Sequence, residues 1–200
     1  FFGQSLITID HNAHFERRRL EAPLFRKEAL EYYEREELIP LITKSLEECV
    51  GDRGEDGVVR ADLCLLVRNM LARISAVTAG IDGVDTPERT GAFMNYIDLL
   101  GMGATVEWST EDHDEVIARI LSVRDDFEKD FFLPSVKRRV RLIDEFRNGD
   151  LTEDDLPRDL LTLMYLHWND EWEDELPLQE ATLYTVASSQ TTTHAIPHVI

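Results

Sequence analysis

Cysteine is nearly absent from this chain of 200 residues: there are two, Cys49 and Cys64. That number and separation exclude a disulfide framework or a four-cysteine zinc cluster, and point to a reducing, cytoplasmic setting. Basic residues are also scarce. Lys and Arg number 21 against 40 Asp and Glu, for a net charge of -19. Non-specific nucleic-acid binding needs clustered cations that are not outnumbered by carboxylates, so it is an unfavourable reading. No apolar run is long enough to cross a membrane, and no signal peptide is evident. Glycine-rich phosphate loops, nucleophile elbows, internal repeats and strand-like alternation are missing as well. Both ends read as cut, since the chain opens on Phe1 and stops inside an apolar pattern at Ile200.

What is present is helical periodicity, and the fold class expected is mostly α. Asp10 is placed to cap a helix carrying His14 and Arg18 that stops or bends near Pro23. Residues 28–48 repeat apolar positions on one face, with an interruption at Pro40. A glycine-rich loop over 51–57 leads to a core helix over 58–79. A turn-rich linker then precedes a helix over 88–100. Ser109 or Thr110 is expected to start the next helix, which runs to Phe127. A break is expected at Pro134, followed by helix over 136–146. Thr152 to Asp155 reads as the cap of a helix containing Leu156 through Leu166. An acidic loop over 169–175 comes before a last helix opened by Leu178.

That last helix carries the densest chemistry, Ala187-Ser188-Ser189-Gln190-Thr191-Thr192-Thr193-His194. Burying polar groups costs free energy, so a hydroxyl cluster in an apolar helix calls for an explanation. One explanation is local: Ser and Thr bond back to the carbonyls of the preceding turn. At the other end of the chain, His14 and Arg18 share a helix face. They offer an imidazole N–H and a planar guanidinium fork, which suit paired carboxylates.

The C-terminal run resembles the oxygen-activating segment of the central helix in the cytochrome P-450 family, (A/G)-G-x-(D/E)-T-(T/S). The N-terminal stretch from Phe2-Gly3-Gln4-Ser5-Leu6 through Asp10, His14, Arg18, Arg19 and Pro23 is similar to that family's propionate-binding run. The resemblance spans essentially the whole chain, residues 1–200, as one partial domain: an incomplete P-450-like helical fold lacking the C-terminal part that supplies the thiolate. It implies a haem-dependent monooxygenase of soluble bacterial type, with haem b as cofactor. Such an enzyme inserts one oxygen atom of O2 into a small organic substrate, using electrons from a ferredoxin or a flavoprotein reductase. His14 and Arg18 would hold the propionates, and Ala187 and Ser188 would form the haem-facing wall. Thr191 would be the alcohol of the proton relay, with Gln190 orienting water. Phe93 and Ile97, with Met94 and Met102 nearby, would be walls of the substrate site.

The chain departs from the family pattern in three places. Ser188 stands where the family has Gly, which narrows the groove. Gln190 stands where it has an acid, and an amide releases no proton near neutral pH. Neither cysteine lies in the F-x-x-G-x-x-x-C-x-G loop whose sulfur holds the iron. The segment alone is therefore expected to be inactive. Two other classes remain open: a non-catalytic helical interaction module, and a P-450-like peroxygenase or isomerase with an altered relay. His194 and His198 are spaced as half a metal site, but Pro197 lies between them and no third ligand is apparent. Asp125, Asp126 and Asp130 approach the aspartate-rich motif of helical terpene cyclases, with the third acid one place late.

Overall fold

In the computed structural model, residues 2–51, 54 and 56–195 are described, the side chains of Gln190 and His194 excepted. Every regular element among them is helical. The helices are α1 (His11–Glu21), α2 (Lys27–Tyr32), α3 (Ile39–Gly51), α4 (Leu63–Ala79), α5 (Pro87–Met102), α6 (His113–Phe127), α7 (Leu133–Arg147), α8 (Leu160–Leu166) and α9 (Leu176–Ala195). None among the described residues is long and apolar enough to cross a membrane.

Neither Pro40 nor Pro134 stops its helix, contrary to the expected interruptions. The same device carries the chain past both. Residues Tyr33–Leu38 and Glu128–Phe132 form π-helical turns, closed by bonds from the Ile39 N–H to the Glu34 carbonyl and from the Leu133 N–H to the Glu128 carbonyl. Proline lacks an N–H and its ring collides with the carbonyl four residues back. A wider turn just ahead of the proline moves that carbonyl aside, so α2 runs on into α3 and α6 into α7.

Three helix starts also differ from expectation, each because another side chain reaches the free N–H groups first. Asp62 accepts from the Leu65 N–H at 3.0 Å, so α4 begins at Leu63 and not at residue 58. Asp112 accepts from the Glu115 N–H at 3.1 Å and starts α6, while the Ser109 hydroxyl only takes the Glu111 N–H. Thr152 and Asp155 do form a capping box, but it closes a single 3-10 turn, Glu153–Asp155. Pro157 follows, and α8 starts only after Asp159, whose Oδ1 takes the Thr162 N–H at 2.8 Å.

The core lies between α4, α5, α6 and α9. Phe93, Phe127 and Phe131 interlock at its centre, with ring centroids 5.4 to 6.3 Å apart. α4 and α9 form the most extensive helix pair. Small residues let their backbones approach: Ala72, Ala76 and Ala79 on one side, Ala181 on the other, all buried. Ser75 and Ser188 meet across this contact, Oγ to Oγ, at 2.6 Å.

At the end of α4, Gly80 has φ +88° and donates to the Ala76 and Val77 carbonyls. A Cβ there would stand 2.6 Å from Oδ1 of Asp159. Gly80→Ala therefore combines left-handed strain with a collision against a buried carboxylate, and is expected to cost about 2–4 kcal/mol. Urea denaturation of the two proteins measures it.

Candidate functional site

The N-terminal segment crosses α9 before α1 begins. Gly3 makes this possible: its φ is +37°, and a Cβ would fall within 2.2 Å of the Gln179 side-chain amide. The Gln4 N–H donates to Gln179 Oε1 at 2.8 Å. Two residues on, the Leu6 N–H donates to both oxygens of Glu180, at 2.9 and 3.1 Å. Beside this contact, α1, α4, α9 and residues 22–33 enclose an apolar groove of about 540 Å³. α9 contributes Leu183, Tyr184, Ala187, Ser188 and Thr192, which share one helical face, and α4 contributes Leu71, Ile74, Ser75 and Thr78. Among the described residues, Arg18 is the one charged side chain of the lining.

Behind the groove, two acids are buried with one base. Glu180 is fully buried and pairs with Arg17 at 3.1 Å. Arg17 in turn stacks on Trp172, its guanidinium carbon 4.7 Å from the ring centroid. Glu21 is 1% exposed. Its Oε2 accepts from the Tyr184 hydroxyl at 2.6 Å, and its carboxyl lies within hydrogen-bonding reach of Glu180. Burial, reinforced by the neighbouring Glu180, pushes the Glu21 carboxyl up to about 8. The Tyr184 phenol is pushed well above its ordinary range, by burial first and by Glu21 second. One guanidinium thus serves two buried carboxyl groups.

Three of the four residues expected at a cofactor, Arg18, Ala187 and Ser188, line this single groove. His14 does not; it sits half-buried on α1 with its ring edge-on to Phe15 at 6.0 Å. Thr191 is exposed and outside the lining, and its hydroxyl donates to the Ala187 carbonyl at 2.7 Å. The threonine that lines the groove is Thr192. The side chain of Gln190 lies outside the described residues, as do that of His194 and the whole of His198. Phe93 is packed into the aromatic core with no exposure. Ile97 borders a separate hollow of about 340 Å³, with Met94, Ser189 and Thr193, on another flank of α9.

The hydroxyl cluster does not interrupt α9, which is continuous to Ala195. Thr182, Thr185, Ser188, Ser189 and Thr191 each donate to the carbonyl four residues back, at 2.5 to 2.9 Å. For the buried Thr182, Thr185 and Ser189 the cost of burial is offset within the helix itself. What the sequence reading passed over was the acid cluster. The spacing of Arg17 and Glu21, and Glu180 alone inside Leu-Pro-Leu-Gln-Glu-Ala-Thr-Leu, were its visible signals.

A flat apolar group bearing carboxylates fits the groove on three counts. Its walls are largely apolar, with Phe25, Tyr33 and Tyr184 among aliphatic side chains, Ala187 and Ser188 leave room against α9, and Arg18 has no ion-pair partner among the described residues. An axial sulfur is not part of the lining: Cys49 is half-buried and Cys64 exposed, both elsewhere. Among the described residues, no group of three or more His, Cys, Asp or Glu could hold a metal ion. No family model matches the chain, and no curated protein matches it.

Proposed function

We propose that the groove between α1, α4 and α9 is the haem-binding half of a P-450-like monooxygenase. The parent protein would oxidise a small organic substrate with electrons from a ferredoxin or flavoprotein. The observation that carries this reading is the convergence of Arg18, Ala187 and Ser188, from opposite ends of the chain, on one apolar groove. Arg18 would anchor a propionate, and Ala187 would admit the macrocycle against α9. Ser188 and Thr192 supply hydroxyls for ordering water. Haem b, when bound, would supply the oxygen activation, with its sulfur ligand provided by residues other than those of the groove. Gln190 offers no acidic proton, which leaves room within this reading for a peroxide-using or isomerising enzyme.

Titrating hemin into the chain and following its visible absorption tests the proposal. Wild type is expected to bind saturably. Arg18→Glu should weaken binding tenfold or more, on the order of 1.5–3 kcal/mol for a charge-assisted contact. Ala187→Trp should abolish it by filling the groove. Equal affinity in all three proteins would remove the haem reading.

A second reading, a module that captures an apolar helix, draws on the groove's rim. Ile7, Phe25 and Leu30 line it while 65%, 58% and 54% exposed. On that reading hemin does not bind, and an amphipathic helical peptide binds the groove in a manner lost in Ala187→Trp.

A further inference from the structure

The groove shares its foundations with the buried acids. Leu6 lines it and is held by Glu180, while Tyr184 lines it and is held by Glu21. One edge of the groove therefore rests on two carboxyl groups that lie side by side out of water. We infer that the groove is proton-gated: its edge at residues 5–8 stays closed on α9 while Glu21 keeps its proton, and is released when Glu21 ionises beside Glu180.

One cation faces both acids. Arg17, the one base in contact with the pair among the described residues, pairs with Glu180 at 3.1 Å and also acts on Glu21, so a second negative charge would have to share it. Arg18 faces outward and reaches neither acid, although it is close enough to act on Tyr184. From α9 come Glu180 and Tyr184, and from the N-terminal segment only the Leu6 N–H. Tyr184 also packs against the apolar cluster of Leu24, Leu160, Met164 and Leu176. Charging Glu21 turns its contact with Glu180 from a hydrogen bond into a repulsion between two buried carboxylates that share one guanidinium, which the cluster relieves by admitting water or moving apart.

The sign follows from the direction of the shift. Glu21 titrates near 8 in the folded protein and near 4.5 when exposed. Between those values the folded state holds more protons than the unfolded state. Its contribution to stability is therefore complete below pH 4.5, declines as pH rises towards 8, and is lost above it. Structural release of the groove edge should follow the native titration, around pH 8.

Hydrogen exchange followed by mass spectrometry on the 200-residue chain, between pH 6.5 and 9.5, tests this without any groove ligand. Its outcome is thereby separate from that of the hemin titration. After correction for intrinsic rates, the amides of residues 5–8 should lose protection about tenfold between pH 7 and 9, while α5 stays protected. Glu21→Gln should remove the transition. Tyr184→Phe keeps the ring but deletes the bond that favours the Glu21 carboxylate, so its transition should move to higher pH. Infrared difference spectra of wild type should show a protonated-carboxyl band at pH 7 that disappears over the same range, a readout independent of how any variant folds. Loss of protection in α5 together with residues 5–8, the same transition in Glu21→Gln as in wild type, or no protonated carboxyl at pH 7, each overturns the inference.

Discussion

Asp159→Ala is expected to destabilise the protein by about 3–5 kcal/mol, the range for removing one partner of a buried ion pair. Asp159 is 2% exposed and serves two elements at once. Its Oδ2 accepts from Arg139 Nη2 at 2.8 Å and Nε at 3.2 Å, and its Oδ1 caps α8 through the Thr162 N–H. Arg139, 4% exposed, has one other carboxylate, Asp82, which it shares with Arg138. The Asp82 N–H in turn donates to Ser135 Oγ at 2.8 Å, tying the turn after α4 to α7. Alanine would leave a buried guanidinium short of charge and a helix without its cap. Asp159→Asn separates the two effects, since the amide oxygen can still cap α8 while the charge is gone, so it should fall between wild type and alanine. Equilibrium denaturation in urea reads both. A cost under about 1 kcal/mol for alanine would mean that Asp82 alone neutralises Arg139, and that α8 needs no cap.

Phe93→Ala should cost a similar about 3–5 kcal/mol, for a different reason. The ring is fully buried, 5.4 Å from Phe131 in an edge-on contact and 6.2 Å from Phe127. Tyr96 packs on the same two rings and donates its hydroxyl to Asp130 at 2.9 Å, so the aromatic group is pinned at its edge and cannot easily collapse into a void. Phe93→Leu retains most of the volume and should cost much less. The pair of variants distinguishes a core residue from a ligand contact. A core residue moves the denaturation midpoint, whereas a wall of a binding site alters affinity at nearly unchanged stability. Unchanged stability in Phe93→Ala would return this residue to the binding-site reading.

The departures of structure from sequence expectation have a common origin. Pro40 and Pro134 read as breaks because proline cannot donate the next helical bond, yet a π turn before each one lets the helix continue. Ser109, Thr110 and Thr152 read as helix starts because they carry capping side chains. Asp112 and Asp159 hold those roles instead, and which of several nearby caps is used depends on where the helix must dock. Phe93 and Ile97 look alike in sequence, as apolar residues four apart on one helix. Both are buried in the core, Phe93 among the aromatic rings and Ile97 at the edge of a hollow.

Periodicity, composition and charge were enough to determine a helical protein and the placement of nearly all its helices. These are local properties, set by which side chains recur at helical spacing and which groups can cap or bond to the adjacent turn. Tertiary structure alone decided that Arg18 meets α9 while His14 does not, that Thr192 rather than Thr191 lines the groove, and that Glu21 comes to lie beside Glu180. Those outcomes depend on how one helix is rotated against another. A turn of a few tens of degrees exchanges neighbouring residues between groove, core and solvent, and no pattern within a single helix fixes that angle.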